Sequence, residues 1–248
     1  MSVFGLAAEG LIETSLHDHV TQAAEDGFTV LRRAQTQQLT SLEDLEGFQQ
    51  FWDDLRLDEE LADGGKYRYR RYGRLHVRVE PSGPRFAVLP HTTFRQDVIP
   101  LWQGKDRSFA PASAEALLHP GMRALVGLDA QLATALSGRT DWEVGVHLVR
   151  IVAPYGAAGK PTPEGRHRDG HLFVGMHLLR RDACEGGEST VFPDHGAPVR
   201  STLVDPLDSM FVDDHRVMHE VSPIRATAGD GVRDMLLVDL NPFDPGVA

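Results

Sequence analysis

Two histidines and one aspartate in this chain have the residue types and the order of a metal-binding triad. His167 and Asp169 lie two residues apart in EGRHRDGHLFVGMHLL, and His219 follows about fifty residues later in DDHRVMHEVSPI. Residues i and i+2 of a β-strand point to the same side, so we expect His167 and Asp169 to reach one point. Two imidazoles and one carboxylate occupy one face of an octahedral Fe(II) ion and leave adjacent positions open for small molecules.

An arginine follows this set in an order that suggests a co-substrate site. Arg233 comes about fourteen residues after His219 and opens the strand-like segment RDMLLVDL. A guanidinium can form two parallel hydrogen bonds with one carboxylate. Near a metal ion with open positions, Arg233 is therefore predicted to bind the distal carboxylate of 2-oxoglutarate.

Two less specific interpretations compete with this one. Taken alone, His167 and Asp169 could form loop ion pairs with Arg166 or Arg168. A non-catalytic, cupin-like protein that binds a metal or a small ligand would also use a set of this kind, but it would not need Arg233. The ordered set of four residues favours an Fe(II) oxygenase that uses 2-oxoglutarate. Binding of 2-oxoglutarate would discriminate between this enzyme and a cupin-like protein.

A zinc hydrolase is a third interpretation. His215 and His219 are four residues apart and would share one face of a helix, as in the HExxH motif. However, HRVMHEVSP is rich in β-branched residues, reaches Pro223 soon afterwards and has no glutamate directly after His215. These features predict a strand rather than a zinc-binding helix.

The elements that must position these residues begin with an N-terminal helical part. The first 60 residues are predicted to be helical. Within them, Ser41 and Asp44 form a helix start signal, and apolar residues from Leu42 to Leu55 follow at helical spacing.

A β-rich part follows, supported by one long helix. The helix is predicted over 120–136, because Pro120 suits a first helical turn and Gly138 suits a helix end. From Trp142 onward the apolar pattern has a period of two, and several short strands separated by Gly, Pro and Asp suggest a sandwich or barrel. The fold is predicted to be mainly β with flanking helices, in a single domain over 1–248, with a helical part at about 1–65 and a core at about 66–248.

Composition limits the classes of partner. The formal net charge is −11 and the pI is about 5.5, which disfavours binding to the phosphate backbone of a nucleic acid. No apolar run approaches the length of a membrane span. Cys184 is the one cysteine, so an internal disulfide is impossible, and a reducing cytoplasmic location is expected.

Several polar residues remain ambiguous at this stage. The segment KYRYRRYGR is predicted to be a strand edge with solvated arginines, with the alternative that Arg70 or a neighbour meets a substrate carboxylate. His171 and His177 share the strand parity of Asp169 and could face either a pocket or the packed interior. His147 is expected to be structural rather than part of a site.

The whole pattern resembles the Fe(II)/2-oxoglutarate dioxygenases. The resemblance rests on H-x-D, then His219 and then Arg233, and it covers roughly residues 66–240. PEGRHRDGHLFV, GGEST, RYRRYGR and LPHTTFRQ are similar to the bacterial branch that hydroxylates free L-amino acids, such as the isoleucine hydroxylases.

This resemblance implies a double-stranded β-helix, also called a jelly roll, of the cupin-like type. It implies Fe(II) on His167, Asp169 and His219, 2-oxoglutarate on Arg233, and O2 as the second co-substrate. The implied reaction is hydroxylation of an unactivated C–H bond in a free amino acid or a cyclic imino acid, with succinate and CO2 as co-products. Arg70 and Gln96 lie in the two upstream segments that resemble the family, and they are the candidate substrate-binding residues.

Overall fold

The computed structural model describes residues 16–40, 42 and 45–246. The predicted helix start at Ser41 and Asp44 lies outside these residues. The helices are α1 (16–26), α2 (Arg33–Thr40), α3 (Leu45–Gln49), a 3-10 turn (Gln50–Trp52), α4 (Ala114–Leu118) and α5 (Pro120–Ser137).

Strands make up most of the remaining structure. They are β1 (Phe28–Leu31), β2 (Arg56–Leu57), β3 (Arg68–Glu80), β4 (Gly83–Val88), β5 (Phe94–Arg95), β6 (Asp106–Arg107), β7 (Asp141–Ala153), β8 (Ala158–Gly159), β9 (Phe173–Asp182), β10 (Cys184–Gly186), β11 (Glu188–Pro193), β12 (Val199–Thr202), β13 (Ser209–Asp213), β14 (Val217–Val221), β15 (Ile224–Ala226) and β16 (Gly231–Pro242).

The strands form one large antiparallel sheet and several smaller ones. The large sheet has the order β1-β13-β9-β16-β7-β3-β2, with β4 paired to β3, and the smaller sheets are β12-β11-β14, β10-β15-β8 and β5-β6. A cavity is lined both by the large sheet and by the sheet that contains β14. The architecture is mainly β with flanking helices and is the predicted double-stranded β-helix.

The two faces of the large sheet have different tasks. Along β7, Trp142, Val144, Val146 and Leu148 pack into the main hydrophobic core with α5, whereas the alternate residues His147, Val149 and Ile151 line the cavity. This is the two-residue period that the sequence predicted. One face therefore stabilises the fold and the other carries the polar site.

The long supporting helix lies where the sequence predicted it. Helix α5 spans Pro120–Ser137, against a prediction of 120–136. The His119 ring accepts a hydrogen bond from the Gly121 N–H at 3.1 Å and caps the first turn. Gly138, with φ of 74°, ends the helix in the left-handed conformation that favours glycine.

The prediction of an all-helical N-terminal part is wrong, because strands β1 and β2 both lie within the first 60 residues. Gly27 adopts φ of 81° and ends α1, and the short segment FTVL then forms β1 at the edge of the large sheet, paired with β13. The helix predicted from Leu42 to Leu55 is the short α3 followed by a 3-10 turn. Its spacing nevertheless identified the buried residues, because Phe48 and Trp52 are both fully buried.

Within the described ranges, no helix has both the length and the apolar character that crossing a membrane requires.

Candidate active site

All six site residues predicted from the sequence line one cavity of about 100 Å³. They are His167, Asp169, His219, Arg233, Arg70 and Gln96. They come from β3, β14 and β16, from the segment directly after β5 and from the loop before β9, so the cavity collects side chains that lie far apart in the sequence.

The two histidines and the aspartate converge on a common point. The Nε2 atom of His167 lies 3.4 Å from Oδ1 of Asp169, and Nε2 of His219 lies 3.4 Å from Oδ2 of the same carboxylate. One possible ligand atom from each residue lies within 4.8 Å of the others. Two imidazole nitrogens and a carboxylate oxygen at this spacing are a donor set that fits Fe(II).

The backbone brings His167 against His219. His167 accepts a backbone hydrogen bond from the His219 N–H at 2.9 Å and donates one to the His219 carbonyl at 3.0 Å. The Nδ1 atom of His167 lies 2.8 Å from the Gly165 carbonyl, so it carries the proton and leaves Nε2 free to act as a ligand. The Nδ1 atom of His219 is buried, and none of the described residues forms a hydrogen bond with it.

Asp169 is positioned by a second aspartate that the sequence analysis missed. The Asp214 carboxylate accepts hydrogen bonds from the backbone N–H groups of Asp169 at 3.0 Å and of Gly170 at 2.6 Å. Asp169 therefore lies in a fixed loop rather than in a strand. The strand argument for its orientation was wrong, although its side chain does contact His167. The sequence signal was the DDH segment before β14, which placed an acidic residue near His219.

The electrostatics of this cluster favour a bound cation. Burial lowers the pKa of His167, but its contacts with Asp169 and the nearby charge of Glu164 outweigh burial and raise it to about 9. Burial raises the pKa of Asp169, but hydrogen bonds from His167 and His219 outweigh burial and hold it well below its usual range. Without a metal ion, a proton on an imidazole provides the positive charge that the buried carboxylate requires.

Arg233 lies in the same cavity and has no anionic partner among the described residues. Its side chain is buried, and its Nε atom has no hydrogen-bond partner there. Arg181 is its cross-strand neighbour on β9, and no ion pair joins either arginine to a carboxylate in the described part of the chain. Burial and, to a smaller extent, the charge of Arg181 together lower the pKa of Arg233 to about 10. Two like charges opposite each other are relieved by an added anion.

The expectation that the arginines of KYRYRRYGR are solvated is wrong. This segment forms β3 inside the large sheet, and Arg68, Arg70 and Arg74 are buried. Arg68 and Arg70 point into the cavity because they share a strand face, and Asp58 compensates Arg68 through an Nε–Oδ2 contact of 2.7 Å. The alternative interpretation, in which Arg70 faces a site, agrees with this placement.

Gln96 holds other site residues and has little capacity left for a ligand. Its Nε2 atom donates to Oδ1 of Asp169 at 3.0 Å, and its Oε1 atom accepts a hydrogen bond from Arg107. Both polar atoms of this candidate substrate-binding residue are therefore already engaged. Arg107 was missed because nothing in the segment GKDRSF marks it as a site residue.

The three ambiguous histidines have different environments. His147 lines the cavity and connects Arg70, at 2.8 Å, with Asp239, at 2.9 Å. His171 lies 3.4 Å from the same Asp239 carboxylate. His177 faces the opposite side of the sheet and contacts Asp129 of α5 at 2.9 Å. The expectation that His147 is only structural is therefore incomplete.

The chain is similar to proteins of known family and known structure. A family model described as 2OG-Fe dioxygenase matches residues 49–239. A bsmA homolog from Methylobium petroleophilum PM1 is 31% identical, with a TM-score of 0.83 over 92% of this chain and 93% of that one. No curated protein matches in sequence.

More distant solved structures share the fold. IDO from Bacillus thuringiensis is 20% identical, with a TM-score of 0.74 over 92% of this chain and 96% of that one. The Fe(II)/(alpha)ketoglutarate-dependent dioxygenase TqaL is 15% identical, with a TM-score of 0.70 over 95% and 91% of the two chains. Because the family model spans most of the sequence, the chain belongs to the 2OG-Fe dioxygenase family, whose reaction requires Fe(II), 2-oxoglutarate and O2.

Proposed function

We propose that this dioxygenase hydroxylates an unactivated C–H bond of a free amino acid or a cyclic imino acid. In this proposal His167, Asp169 and His219 hold Fe(II), and Arg233 binds the distal carboxylate of 2-oxoglutarate. When bound, Fe(II) would allow O2 to oxidise the substrate while 2-oxoglutarate is converted to succinate and CO2.

One observation carries the proposal: a single cavity combines the His-Asp-His cluster with two separate sets of arginines. The first set is Arg233 alone, and the second consists of Arg68, Arg70 and Arg107. Each of these four side chains has a buried nitrogen without a hydrogen-bond partner in the described residues. Unsatisfied buried donors are costly, so the cavity is complementary to two anionic groups, one on the co-substrate and one on the substrate.

The protein's own residues would bind and orient the ligands and would exclude water from the site. The fixed tautomer of His167 and the Asp214-bound loop keep the metal-facing atoms of the triad in place before any ligand arrives. Apolar side chains complete the cavity wall between the polar groups, among them Val149, Val174, Met176, Leu203, Met235 and Leu237. An apolar wall limits the access of water to the reacting groups.

The substrate class is supported by the sequence rather than by the fold. PEGRHRDG, GGEST and LPHTTFRQ resemble the free amino acid hydroxylases. The net charge of −11 disfavours a nucleic acid substrate.

The test is a mass-spectrometric screen of the protein with Fe(II), 2-oxoglutarate and ascorbate. One arm contains the free L-amino acids together with proline and its ring homologue, and the other contains peptides with the same residues. We expect a gain of one oxygen atom in the first arm, coupled to succinate formation. Equal or faster oxidation of the peptides would contradict the proposed substrate class.

The same screen separates the non-catalytic and hydrolytic alternatives. Family membership already favours an enzyme over a cupin-like binding protein. The HExxH-like interpretation is also disfavoured, because His219 lies in strand β14 and His215 lies in the preceding turn. Metal analysis after anaerobic purification, with iron rather than zinc as the expected ion, completes this comparison.

A further inference from the structure

The charged side chains of the cavity are mostly paired with one another. Arg68 is compensated by Asp58, at 2.7 Å. Arg70 donates to His147, which in turn contacts Asp239, so this positive charge is balanced through an imidazole. Once Arg233 is assigned to 2-oxoglutarate and Asp169 to the metal, two cavity-lining charges remain without an ionic partner.

The first uncompensated charge is Arg107. It is 2% exposed and has no carboxylate within 4.0 Å in the described part of the protein. Its guanidinium carbon lies 4.4 Å from the ring centre of Trp102 and 5.1 Å from that of Phe94, and one nitrogen donates to Gln96. Its Nε atom is buried and has no hydrogen-bond partner within the described ranges. The side chain is therefore packed and hydrogen-bonded, but no described carboxylate pairs with it.

The second uncompensated charge is Glu164. Its side chain is 11% exposed, and Oε1 lies 3.5 Å from Nε2 of His167. That nitrogen is the proposed metal ligand, so it cannot also neutralise Glu164. The other carboxylate oxygen, Oε2, is buried without any hydrogen-bond partner in the described structure. A buried carboxylate is costly unless it is paired or hydrogen-bonded, and an ammonium group can supply both the charge and the N–H donors.

Arg107 and Glu164 face one cavity but do not satisfy each other. No ion pair of 4.0 Å or less joins them, although the charge of Glu164 acts to raise the pKa of Arg107 against the larger effect of burial. A ligand with one positive and one negative group in this cavity would satisfy both side chains. An α-amino acid has both groups, since its carboxylate can accept two hydrogen bonds from a guanidinium and its ammonium has three donors.

We propose that Arg107 and Glu164 together recognise the zwitterion of a free amino acid, with Arg107 on the carboxylate and Glu164 on the ammonium group. This inference rests on the proposed function and adds the residues that set its specificity. A peptide bond at either end of the amino acid removes one of the two charges and leaves the matching protein charge buried and unpaired. The pair therefore selects free amino acids against peptides, amines and simple carboxylic acids.

The experiment measures ligand affinity under nitrogen, with Fe(II) and 2-oxoglutarate bound. The probes are the amino acid that the wild type oxidises fastest in the screen, the amine that lacks its carboxylate, and the carboxylic acid that lacks its amine. For the wild type we expect each truncated probe to bind about tenfold to a hundredfold more weakly than the amino acid.

Two substitutions then assign each charge to its residue. Arg107→Gln should weaken the amino acid about tenfold or more but cause no further loss for the amine. Glu164→Gln should weaken the amino acid similarly but cause no further loss for the carboxylic acid. Arg95→Gln, on the same β5–β6 pair as Arg107, and Glu185→Gln, both at exposed positions, serve as controls with unchanged affinity.

The outcomes separate this inference from the proposed function. Unchanged 2-oxoglutarate affinity and thermal unfolding establish that each variant keeps its site. If amino acids are oxidised but the wild type binds the truncated probes as tightly as the amino acid, the inference is wrong and the function stands. Equal losses for all three probes in a folded variant would also overturn it. If no amino acid is oxidised, both fail. The wild-type probes decide the matter even if a variant does not fold.

Discussion

Asp169 is the residue on which the proposed metal site depends most, because it contacts both histidines. We expect Asp169→Ala to lose turnover and to retain less iron after anaerobic reconstitution, since two imidazoles alone bind the ion more weakly. The fold should persist, because the loop is held through backbone N–H groups that donate to Asp214. Iron content and circular dichroism measure the two effects, and Asp205→Ala at an exposed position is the control. Turnover near the wild-type level would contradict the assignment.

Arg233 should affect a different ligand. We expect Arg233→Ala to weaken 2-oxoglutarate binding about tenfold or more, because hydrogen bonds to a charged group contribute roughly 1.5–3 kcal/mol. Anaerobic titration of the Fe(II) protein with 2-oxoglutarate measures this change. Arg225→Ala, at an exposed position on the neighbouring strand β15, is the control and should bind normally. Unchanged 2-oxoglutarate affinity together with a loss of amino acid binding would show that Arg233 serves the substrate instead.

At the scale of elements, the site depends on how closely α5 packs against the outer face of the large sheet. A Cβ atom added to Gly175 on β9 would lie 2.0 Å from Oδ2 of Asp129, which accepts its hydrogen bond from His177. We expect Gly175→Ala to lower the free energy of unfolding by about 1–3 kcal/mol, since the helix must move away or the buried contact must break. Urea unfolding measures this loss.

A control for this substitution lies on the facing helix. A Cβ atom added to Gly127 of α5 would meet its nearest neighbour, Cγ of Pro84, at 3.4 Å, which is ordinary contact. Gly127→Ala should therefore change stability by less than about 1 kcal/mol, with the helix propensity of alanine in its favour. Similar losses for the two variants would show that the packing of α5 is not limited by Gly175.

The elements that the sequence predicted well have long and regular patterns. The apolar residues of helix α5 recur over more than two helical turns, and those of strand β7 alternate over several pairs of residues. The buried face of each element could therefore be predicted. The strand β1 could not, because FTVL is too short to show a period and its partner β13 is far away in the sequence. Its pairing is a property of the assembled sheet.

The site residues divide in the same way. His167, Asp169 and His219 could be predicted because their types and order indicate their chemistry. Arg107 and Glu164 could not, since what distinguishes them is a missing ionic partner, and that depends on every other side chain in the cavity. The burial of the β3 arginines was mispredicted for a related reason, because a basic segment favours solvent unless a carboxylate such as Asp58 or a ligand compensates it.

At the scale of the whole molecule, an acidic protein encloses a basic cavity. The formal net charge is −11, yet four arginines line the cavity. Asp58 is the carboxylate that makes this arrangement stable in the absence of ligands. It is buried, lies 2.7 Å from Arg68 and 3.6 Å from Arg70, and accepts a hydrogen bond from the Glu60 N–H at 3.0 Å. Without Asp58, two like charges would face each other in the interior.

This role predicts how the stability depends on pH. Burial raises the pKa of Asp58, but the charges of Arg68 and Arg70 outweigh burial and hold it below its ordinary value of 3.8. A carboxyl group with a lowered pKa in the folded state stabilises the fold fully above its unfolded pKa, and this stabilisation is lost as the pH falls towards the folded pKa. We therefore expect Asp58→Asn to cost about 3 kcal/mol at pH 7, because it leaves two buried arginines uncompensated.

The difference in unfolding free energy between the wild type and Asp58→Asn should shrink as the pH falls below about 4, where the wild-type carboxylate becomes protonated. Urea unfolding of both proteins from pH 7 to pH 3 measures this difference directly. Asp54→Asn is the matched control, because Asp54 also contacts an arginine, Arg71, but its side chain is 69% exposed. An exposed ion pair contributes at most about 1 kcal/mol, so its loss should be small at every pH. A constant difference for Asp58→Asn down to pH 3 would show that Asp58 stabilises the fold through packing and hydrogen bonds rather than through its charge.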